Sequence, residues 1–581
     1  EIEIAEWQCL AELIDNSVDE IQRRNEDEPP PADKLHALSC IEILLPRERT
    51  STLENAEVVV RDHGRGMTRD QLQHAVKAGW TGNDPFERLG LFGMGFNIST
   101  ARLGRVTEIL TTRAGESVWR GVRIDLDEIG EDFEVPEIHE AKDDPAEHGT
   151  KVTVKRLDPA RLHFLSNRHE PIRRKLGHVY SWLLEHTPVS ILVNGKIVNP
   201  KRHCVWGEER SISYGKGKTF EQIPALIRID HELPDSEACE NCGHWQRLGL
   251  GECQRCGRGE LRYRKRRIHG WVGVQRFLHT SQFGIDFIRN VRKILMDDKS
   301  VFEWRDPSGV IDDVRLEYPV EIPAGYGRIV GEIHLDHVPV DYKKDRFDTS
   351  SRDWVSAMTL IRGEAPIRPE TAKRFGYEGR NDAPIARLVR GYQRNAPGAR
   401  YLVPGDGVNA THDEARRWGT LFARGDADYQ ADTKWWEAVL FHEAEAERRN
   451  QPATTSGSVD NDAVLMALGV TPTPIVPEDN HNETSDSPDI ERSEQQKPPT
   501  RDEYATSLRN GASPISYLSR EYRINMLNGN ITIKAWSVKP GSITAKDNTG
   551  PSPIWMYGTG GGRAELFIDQ HHPVFTRSGA E

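Results

Sequence analysis

Four short segments near the start of the chain constrain its fold more than any other feature. They read E-L-I-D-N-S-V-D at 12–19, D-H-G-R-G-M at 62–67, G-L-F-G-M-G-F at 90–96 and G-T-K-V at 149–152. Each is common alone, as a polar helix face, a strand followed by a turn, a glycine loop or a strand start. Their order and spacing are distinctive, and the strand-like and helix-like patterns around them predict a mixed α/β layer.

The first segment lies on an amphipathic helix, predicted over residues 5–24. When each residue advances about 100° around the axis, one arc is apolar and the opposite side is polar. The apolar arc consists of Leu13, Ile14, Val18 and Ile21. The polar side carries Glu12, Asn16 and Asp19, with Asp15 beside them. Without further context, this pattern is more typical of a surface helix with a solvated face.

The other three segments have residue types that suit a nucleotide. Asp62 follows a buried-looking strand, where a carboxylate accepts a hydrogen bond from an exocyclic amine, and Gly64 and Gly66 allow a sharp turn beside a flat ligand. The glycines of 90–96 precede a predicted helix, where backbone N–H groups can cradle phosphates. Thr150, at the start of a strand, can hydrogen-bond a base.

The ordered set resembles the ATP-binding domain of the GHKL superfamily, which includes gyrase, the ninety-kilodalton heat-shock chaperone, histidine kinases and MutL. The resemblance covers about residues 5–160. It implies an α+β fold of the Bergerat type, with helices layered on a mixed, mostly antiparallel sheet.

The resemblance also implies roles. Glu12 would be the general base that activates the attacking water, and Asn16 would bind Mg²⁺. Asp62 would take the adenine amine with Thr150 nearby. The implied ATP-binding residues are Asn16, Asp19, Asp62, Gly64, Gly66, Met67, Gly90, Gly93, Gly95, Phe96 and Thr150. Because histidine kinases usually lack a base at the position of Glu12, the sequence favours an ATPase over a kinase.

Two later segments, G-I-D-F-I-R-N-V-R-K-I at 284–294 and P-V-D-Y-K-K-D-R-F-D at 339–348, resemble the transducer domain of MORC proteins and their bacterial relatives. In that domain a lysine reaches the γ-phosphate. Lys343 matches best and Lys344 is the alternative. A solvated lysine pair on a turn remains a competing interpretation.

Four of the seven cysteines form two C-x-x-C pairs, and ten residues separate the pairs. Cys239, Cys242, Cys253 and Cys256 therefore predict a structural Zn²⁺ ribbon at 236–260. Such a use of cysteine is typical of a reducing cytosol, so we expect a cytoplasmic protein.

The chain has 581 residues and a formal net charge of −13, which excludes a uniformly basic nucleic-acid-binding protein. One basic strip, Arg262–Arg267, has five cations and one tyrosine in six residues. It predicts contact with a DNA backbone, although a solvated strand edge explains the pattern equally well. No stretch approaches the roughly 18 apolar residues of a membrane helix.

The expected organisation has five parts. They are an ATP-binding domain (1–165), a transducer-like α/β domain (166–370), a helical Trp- and Arg-rich region (371–451), a disordered acidic linker (452–503) and a small β-rich domain (504–581). We expect an ATPase that dimerises on ATP and acts on DNA in genome maintenance or defence, like MORC proteins. The alternatives are a heat-shock-type remodelling chaperone and the ATPase subunit of a topoisomerase-like complex with a nuclease or helicase partner.

Overall fold

The computed structural model describes most of the chain and divides it into two units, residues 1–456 and 457–581, which are treated separately below. The described residues are 5–27, 29–48, 52–76, 89, 95–128, 135–216, 219–306, 314–319, 325–341, 343–450, 501–515, 518–519, 521–524, 529–543, 552, 554–560 and 563–571. Most of the acidic linker predicted over 452–503 lies outside them.

An eight-stranded sheet organises the beginning of the first unit. Its strands are β1 (Cys40–Leu44), β2 (Glu57–Arg61), β3 (Gly104–Thr112), β4 (Val118–Asp125), β5 (Glu137–Ala141), β6 (Gly149–Leu157), β7 (Ser190–Val193) and β8 (Lys196–Ile197). Their order is β5-β4-β3-β6-β2-β1-β7-β8, and only β1 and β7 run parallel. The predicted mixed, mostly antiparallel α+β fold is confirmed.

In the part of the chain that the structure describes, seven helices accompany this sheet, and the first is the helix predicted from the polar and apolar faces. They are α1 (Glu6–Asp27), α2 (Leu35–Leu38), α3 (Arg69–Ala75), α4 (Gly95–Leu103), α5 (Pro159–Asn167), α6 (His169–Val179) and α7 (Ser181–His186). The apolar arc of α1 is buried in one core together with residues of β1, β2, α6 and β7. Burial of this arc fixes which face of α1 the polar residues occupy.

The sheet extends beyond residue 165 because a hairpin adds β7 and β8 beside β1. Asn194 and Gly195 connect the two strands with φ angles of 50° and 73°. Both angles lie in the left-handed region that a two-residue hairpin turn requires, which is why Asn-Gly favours this turn. The structure therefore places this hairpin in the first sheet rather than in the expected transducer segment.

A five-stranded sheet forms the centre of the following segment, in the order β11-β15-β20-β16-β17. The strands of this segment are β9 (Ser211–Lys216), β10 (Thr219–Pro224), β11 (Leu226–Glu232), β12 (Ser236–Cys239), β13 (Trp245–Arg247), β14 (Leu261–Arg264), β15 (Arg267–His279), β16 (Gly284–Arg289), β17 (Arg292–Asp298), β18 (Glu303–Trp304), β19 (Arg315–Leu316) and β20 (Gly327–His334). The strands β12, β13 and β14 form a separate small sheet, in which β14 is an edge strand.

Five helices pack on this segment: α8 (Arg352–Ile361), α9 (Pro369–Arg374), α10 (Pro384–Tyr392), α11 (His412–Ala423) and α12 (Thr433–Asn450). Their apolar residues share one core with the five-stranded sheet, from Cys204 to Val439. Trp435 of α12 is fully buried there. The Trp- and Arg-rich region thus completes the core of the preceding sheet.

In its described residues, the second unit contains one helix and a small sheet. Its elements are α13 (Arg501–Arg509), β21 (Ser513–Pro514), β22 (Glu521–Ile524), β23 (Gly529–Ser537), β24 (Ile554–Gly560) and β25 (Arg563–Ile568). The strands β23 and β25 run parallel, and β24 and β22 pair antiparallel with them at either side. Across the described residues of both units, every helix is too short or too polar to cross a lipid bilayer.

Candidate functional site

The four sequence segments come together around the polar face of α1. The backbone of Asp62, at the end of β2, bonds to Thr150 at the start of β6 through an N–H···O contact of 2.9 Å. Ser17 Oγ of α1 donates to Asp62 Oδ2 at 3.1 Å. A Cβ at Gly95, the first residue of α4, would clash with the carboxylate of Glu12. One face of α1 therefore contacts the second and third segments, and the fourth segment is joined to this group through Asp62.

Asp62 is a buried carboxylate held by short polar contacts. Its Oδ1 accepts hydrogen bonds from the N–H of Gly64 at 2.8 Å and of Thr150 at 3.2 Å. Burial raises the pKa of Asp62 to about 7, although the bonds from Gly64 and Ser17 act in the opposite direction. A carboxyl group with this pKa is poised to bind a ligand that donates a hydrogen bond to it.

The turn after Asp62 lies too close to its neighbours for larger residues. A Cβ at Gly64 would lie 2.7 Å from the Cβ of Glu20 on α1. Gly66 has a φ of 73°, and a Cβ there would clash with the carbonyl of Thr112. Beyond the turn, the N–H of Met67 donates to Thr111 Oγ1 at 2.8 Å. The two glycines thus let the turn pack between α1 and β3.

Glu12 and Asp15, one helical turn apart on α1, contact two cations from distant parts of the chain, Arg292 of β17 and Lys344 in the turn after β20. Lys344 Nζ lies 2.9 Å from Glu12 Oε2 and 2.7 Å from Asp15 Oδ2. Arg292, at the start of β17, pairs with Asp15 and lies 3.2 Å from Glu12 Oε1. Tyr180 donates to Asp15 Oδ1 at 2.7 Å. Two carboxylates, two cations and one phenol therefore form one closed, largely buried network.

The charges in this network stabilise one another. Burial by itself would raise the pKa of Asp15, but Arg292 and Lys344 outweigh burial and lower it. Burial works against the charged form of Lys344 too, but Asp15 and Glu12 raise its pKa. Because a buried charge without its partner is costly, Arg292 and Lys344 link the two sheets through α1.

Among the described residues, the lysine that contacts Glu12 is Lys344, whereas the sequence analysis favoured Lys343. The reason is the local backbone: Lys344 has a φ of 53°, in a tight turn where its N–H bonds to the carbonyl of Asp341 at 3.1 Å. This left-handed residue is buried, whereas Lys343 is only half-buried. A pair of adjacent lysines does not reveal from its sequence which one takes the unusual conformation.

The remaining predicted ATP-binding residues lie around the same face. Asn16 is exposed, whereas Asp19 is buried and its Oδ1 accepts the N–H of Leu89 at 2.9 Å. Phe96 packs in a small cluster with Met67 and residues of β3 and β4. Gly90 and Gly93, expected in the lid over the phosphates, lie outside the described residues.

The polar residues of the 284–294 segment are buried and paired. Asp286 accepts from Lys293 Nζ at 2.7 Å and lies 3.0 Å from His203 Nε2. Lys293 also reaches Glu332 Oε1 at 2.6 Å. Since the ammonium group of Lys293 fills the space between the two carboxylates, this cluster is a second internal ion-pair network and orders β16, β17 and β20.

The four predicted metal ligands form one cluster. The sulfurs of Cys239 and Cys256 lie 3.6 Å apart, those of Cys242 and Cys253 lie 3.5 Å apart, and all four lie within 4.8 Å of one another. Each C-x-x-C pair is followed by a glycine, Gly243 or Gly257, whose N–H bonds to the carbonyl of the first cysteine at 2.9 and 2.8 Å. The two pairs thus form matching turns that point their sulfurs at one position.

The basic strip Arg262–Arg267 lies on and after the edge strand β14, and carboxylates flank most of its cations. The pairs are Arg262 with Glu240 at 3.5 Å, Lys265 with Glu232 at 3.8 Å, Arg266 with Asp353 at 2.8 Å and Arg267 with Asp230 at 2.6 Å. Tyr263 donates to Asp235 at 2.9 Å. These pairs reduce the positive charge that the sequence alone predicts for this strip.

Sequence reasoning missed two residues of the site, Arg292 and Tyr180. It placed Asp15 beside the polar face of the helix but gave it no role. The segment around Arg292 was recognised, but no role was assigned to its arginine. Arg292 and Lys344 lie 277 and 329 residues from Asp15 along the chain. The one available signal was Asp15 itself, since it lies between the polar and apolar faces of an amphipathic helix.

Comparison with known proteins agrees with the family resemblance that the sequence segments indicate. Residues 4–151 match the family model described as histidine kinase-, DNA gyrase B-, and HSP90-like ATPase. The chain is also similar to Protein MICRORCHIDIA 3 of Arabidopsis thaliana, with 33% identity over 111 residues. That match covers 19% of this chain and 16% of the plant protein, so the chain spans about a sixth of that relative's length.

The family model begins just before α1 and ends within β6, so it contains the first three sequence segments and the first three residues of the fourth. The plant relative agrees with the MORC-like resemblance. Taken with the convergence of the segments around α1, these matches confirm the resemblance recognised in the sequence: residues 4–151 match the GHKL-type ATPase family model, and part of the chain is similar to a MORC protein.

Proposed function

We propose that this chain binds ATP against the polar face of α1 and hydrolyses it with Glu12 as the general base. The observation that carries the proposal is the position of Glu12. Its carboxylate is enclosed by the first residue of α4 on one side and by two cations of the transducer-like segment on the other. A base must lie within hydrogen-bond reach of the proton that it removes, and a site closed by cations suits a transferring phosphoryl group.

Each part of the ATP molecule has a chemically suitable neighbour. The buried carboxyl group of Asp62 would accept the adenine amine, beside the hydroxyl of Thr150, which lies 3.2 Å from Thr111 Oγ1. Asn16, exposed one helical turn after Glu12, has an amide oxygen of the kind that Mg²⁺ prefers. When bound, Mg²⁺ would neutralise phosphate charge and orient the phosphates.

Lys344 would report the presence of the γ-phosphate. Its ammonium group bridges Glu12 and Asp15. A γ-phosphate beside Glu12 would compete for that ammonium group, and its transfer from carboxylate to phosphate would leave Glu12 available to accept a proton from water. ATP binding would thereby change the contact between α1 and the transducer-like segment, since a ligand shifts a conformation only through differential contacts.

We further propose that Cys239, Cys242, Cys253 and Cys256 hold one structural Zn²⁺. Four thiolates at about 2.3 Å from zinc in a tetrahedron lie about 3.8 Å from one another, close to the sulfur distances found here. With two matching turns supplying all four ligands, the ion would fix the small sheet of β12, β13 and β14.

The proposed biological action is a conformational cycle on DNA by a nucleotide-dependent homodimer. Dimerisation on ATP is expected from the GHKL-type domain. Support for DNA comes from exposed cations on the basic strip, where the side chains of Arg262 and Lys265 are 58% and 67% exposed despite their acidic neighbours. Contacts of this kind would be independent of DNA sequence and sensitive to salt.

One experiment tests the core of this proposal. Isothermal calorimetry of the full chain with a non-hydrolysable ATP analogue and Mg²⁺ should give saturable heat, and light scattering should show a doubled mass in the same mixture. Asp62→Asn should abolish the heat, whereas the exposed Asp70→Asn on α3 should leave it unchanged. Absence of heat with the wild-type chain would refute the proposed nucleotide site.

A further inference from the structure

A cavity of about 320 Å³ opens between the β9–β10 hairpin, α10 and the loop that follows α10, on elements that carry no part of the ATP site. Its walls include Ile212, Tyr214, Arg390, Gln393, Arg400 and Tyr401. The volume lies at the lower end of the range of about 300–1,000 Å³ typical of small-molecule sites. Two tyrosines and several arginines in one cavity are an unusual combination in a protein with a net charge of −13.

The helix comes close to the hairpin because of one glycine. Gly391 of α10 faces the hairpin, and a Cβ there would lie 3.0 Å from Ile212 Cδ1 and 3.1 Å from Ile223 Cδ1. This close contact forms the apolar floor of the cavity. The shape of the cavity is therefore set by packing of regular elements rather than by a loose loop.

One arginine of the wall is held rigidly. Arg390 donates to Glu221 Oε2 and Asp382 Oδ1, both at 3.1 Å, and its guanidinium lies 5.7 Å from the ring centre of Tyr214. Glu221 and Asp382 also pair with Arg380, and Glu221 pairs with Arg387. Three arginines thus share two carboxylates, which leaves an excess of positive charge beside the cavity.

Arg400 differs from the cations of the basic strip. Its guanidinium lies 5.4 Å from the ring centre of Tyr401, and within the described ranges it has no carboxylate partner. Arg400 is exposed, and so is 37% of Tyr214. Tyr214 and Arg400 both line the cavity, so its wall offers an aromatic ring on which a base can stack and a guanidinium charge for a phosphate.

We propose that this Arg–Tyr cavity binds one nucleotide unit of a single-stranded nucleic acid, with its base on Tyr214 and its phosphate on Arg400. The inference rests on the proposed action on DNA and locates part of that action away from the basic strip. A cavity of this size admits a single base, whereas stacked base pairs of a duplex expose only their edges in the grooves. Recognition through stacking and phosphate charge would be largely independent of sequence.

The test is fluorescence anisotropy of the full chain with an oligothymidine of about 20 nucleotides and with a duplex of the same length, over a range of salt concentrations. Tyr214→Ser should weaken single-strand binding about tenfold, the usual effect of losing one stacked base, whereas Tyr214→Phe should keep it. Arg400→Gln should lower the slope of log affinity against log salt by about one, and Arg400→Lys should restore the slope.

The double variant of the basic strip, Arg262→Gln with Lys265→Gln, is the matched comparison. All cavity variants should hydrolyse ATP without nucleic acid at the wild-type rate, which excludes misfolding as the cause of lost binding. If Tyr214→Ser and Arg400→Gln bind like wild type while the strip variant loses binding, the cavity inference is overturned and the proposed action on DNA stands. If the wild-type chain binds only duplex, the single-strand assignment is wrong. If it binds neither form at low salt, both proposals fail.

Discussion

Lys344 Nζ lies 2.9 Å from Glu12 Oε2, although the two residues are 332 positions apart in the chain. The ammonium group of Lys344 therefore forms an ion pair with the carboxylate that the proposed hydrolysis needs as its base. In the proposed mechanism, an anion that competes for Lys344 would weaken this ion pair and so change the contact between α1 and the transducer-like segment.

Substitutions of Lys344 and Lys343 test which of the two lysines contacts the γ-phosphate. Lys344→Ala should reduce ATP turnover by about 100-fold, since a cation at the transferring phosphoryl group is lost. Lys343→Ala should leave turnover close to wild type. Steady-state phosphate release measures both variants, and equal losses in the two would contradict the assignment to Lys344.

The pair of Arg292 and Asp15 should contribute strongly to stability. Arg292→Met leaves Asp15 with one cation fewer in a buried site, so we expect a loss of about 3–5 kcal/mol in the free energy of unfolding. The exposed Arg346→Met should change it by less than about 0.5 kcal/mol.

A double-mutant cycle checks the assignment. Since Arg292→Met and Asp15→Asn remove the same interaction, their effects on urea unfolding should be far from additive. Additive effects would show that the two side chains act independently, contrary to the contact in the structure.

The raised pKa of Asp62 predicts a pH dependence. The pKa of Asp62 is about 7 in the folded protein and about 3.8 for an unperturbed aspartate, so the folded state holds this proton more tightly. The stability that it contributes is complete below pH 4 and is lost as the pH rises to 7, by about 4 kcal/mol.

Asp62→Asn cannot titrate, so its midpoint of thermal unfolding should rise relative to wild type between pH 4 and 7. The exposed Asp70→Asn on α3 should follow wild type. A constant difference between Asp62→Asn and wild type over this range would show that Asp62 is not buried as described.

Replacing any one of the four cysteine ligands should abolish binding of the proposed zinc ion. The purified chain should contain one zinc ion by elemental analysis, and Cys239→Ser or Cys253→Ser should contain almost none. Cys40→Ser, outside the cluster, should retain it. Full reactivity of all seven thiols in the untreated native chain would contradict a bound ion.

Local patterns predicted the elements of the site well. The helix expected at 5–24 is found within a few residues of those bounds, and a strand before Asp62, a helix after the glycine segment and a strand at Thr150 lie where they were expected. Each depends on periodicity or on a turn signal within about ten residues, which a sequence displays directly.

The contacts that close the site were not predictable in the same way. Asp15 meets Arg292 and Lys344 only because a strand and a turn that are distant in the chain pack against α1, and no local pattern records such a contact. For the basic strip, the sequence overstates the positive charge. The cations are obvious in the sequence, but Asp230 and Asp353, which neutralise part of their charge, come from distant positions.

The most direct test of the account is the rate of phosphate release by Glu12→Gln under single-turnover conditions. The variant should bind ATP within a few-fold of wild type and hydrolyse it at least about 100-fold more slowly, the usual effect of losing a general base. Glu26→Gln, exposed on the same helix, should match wild type in both. If Glu12→Gln hydrolyses bound ATP at the wild-type rate, Glu12 is not the base and the proposed mechanism is wrong.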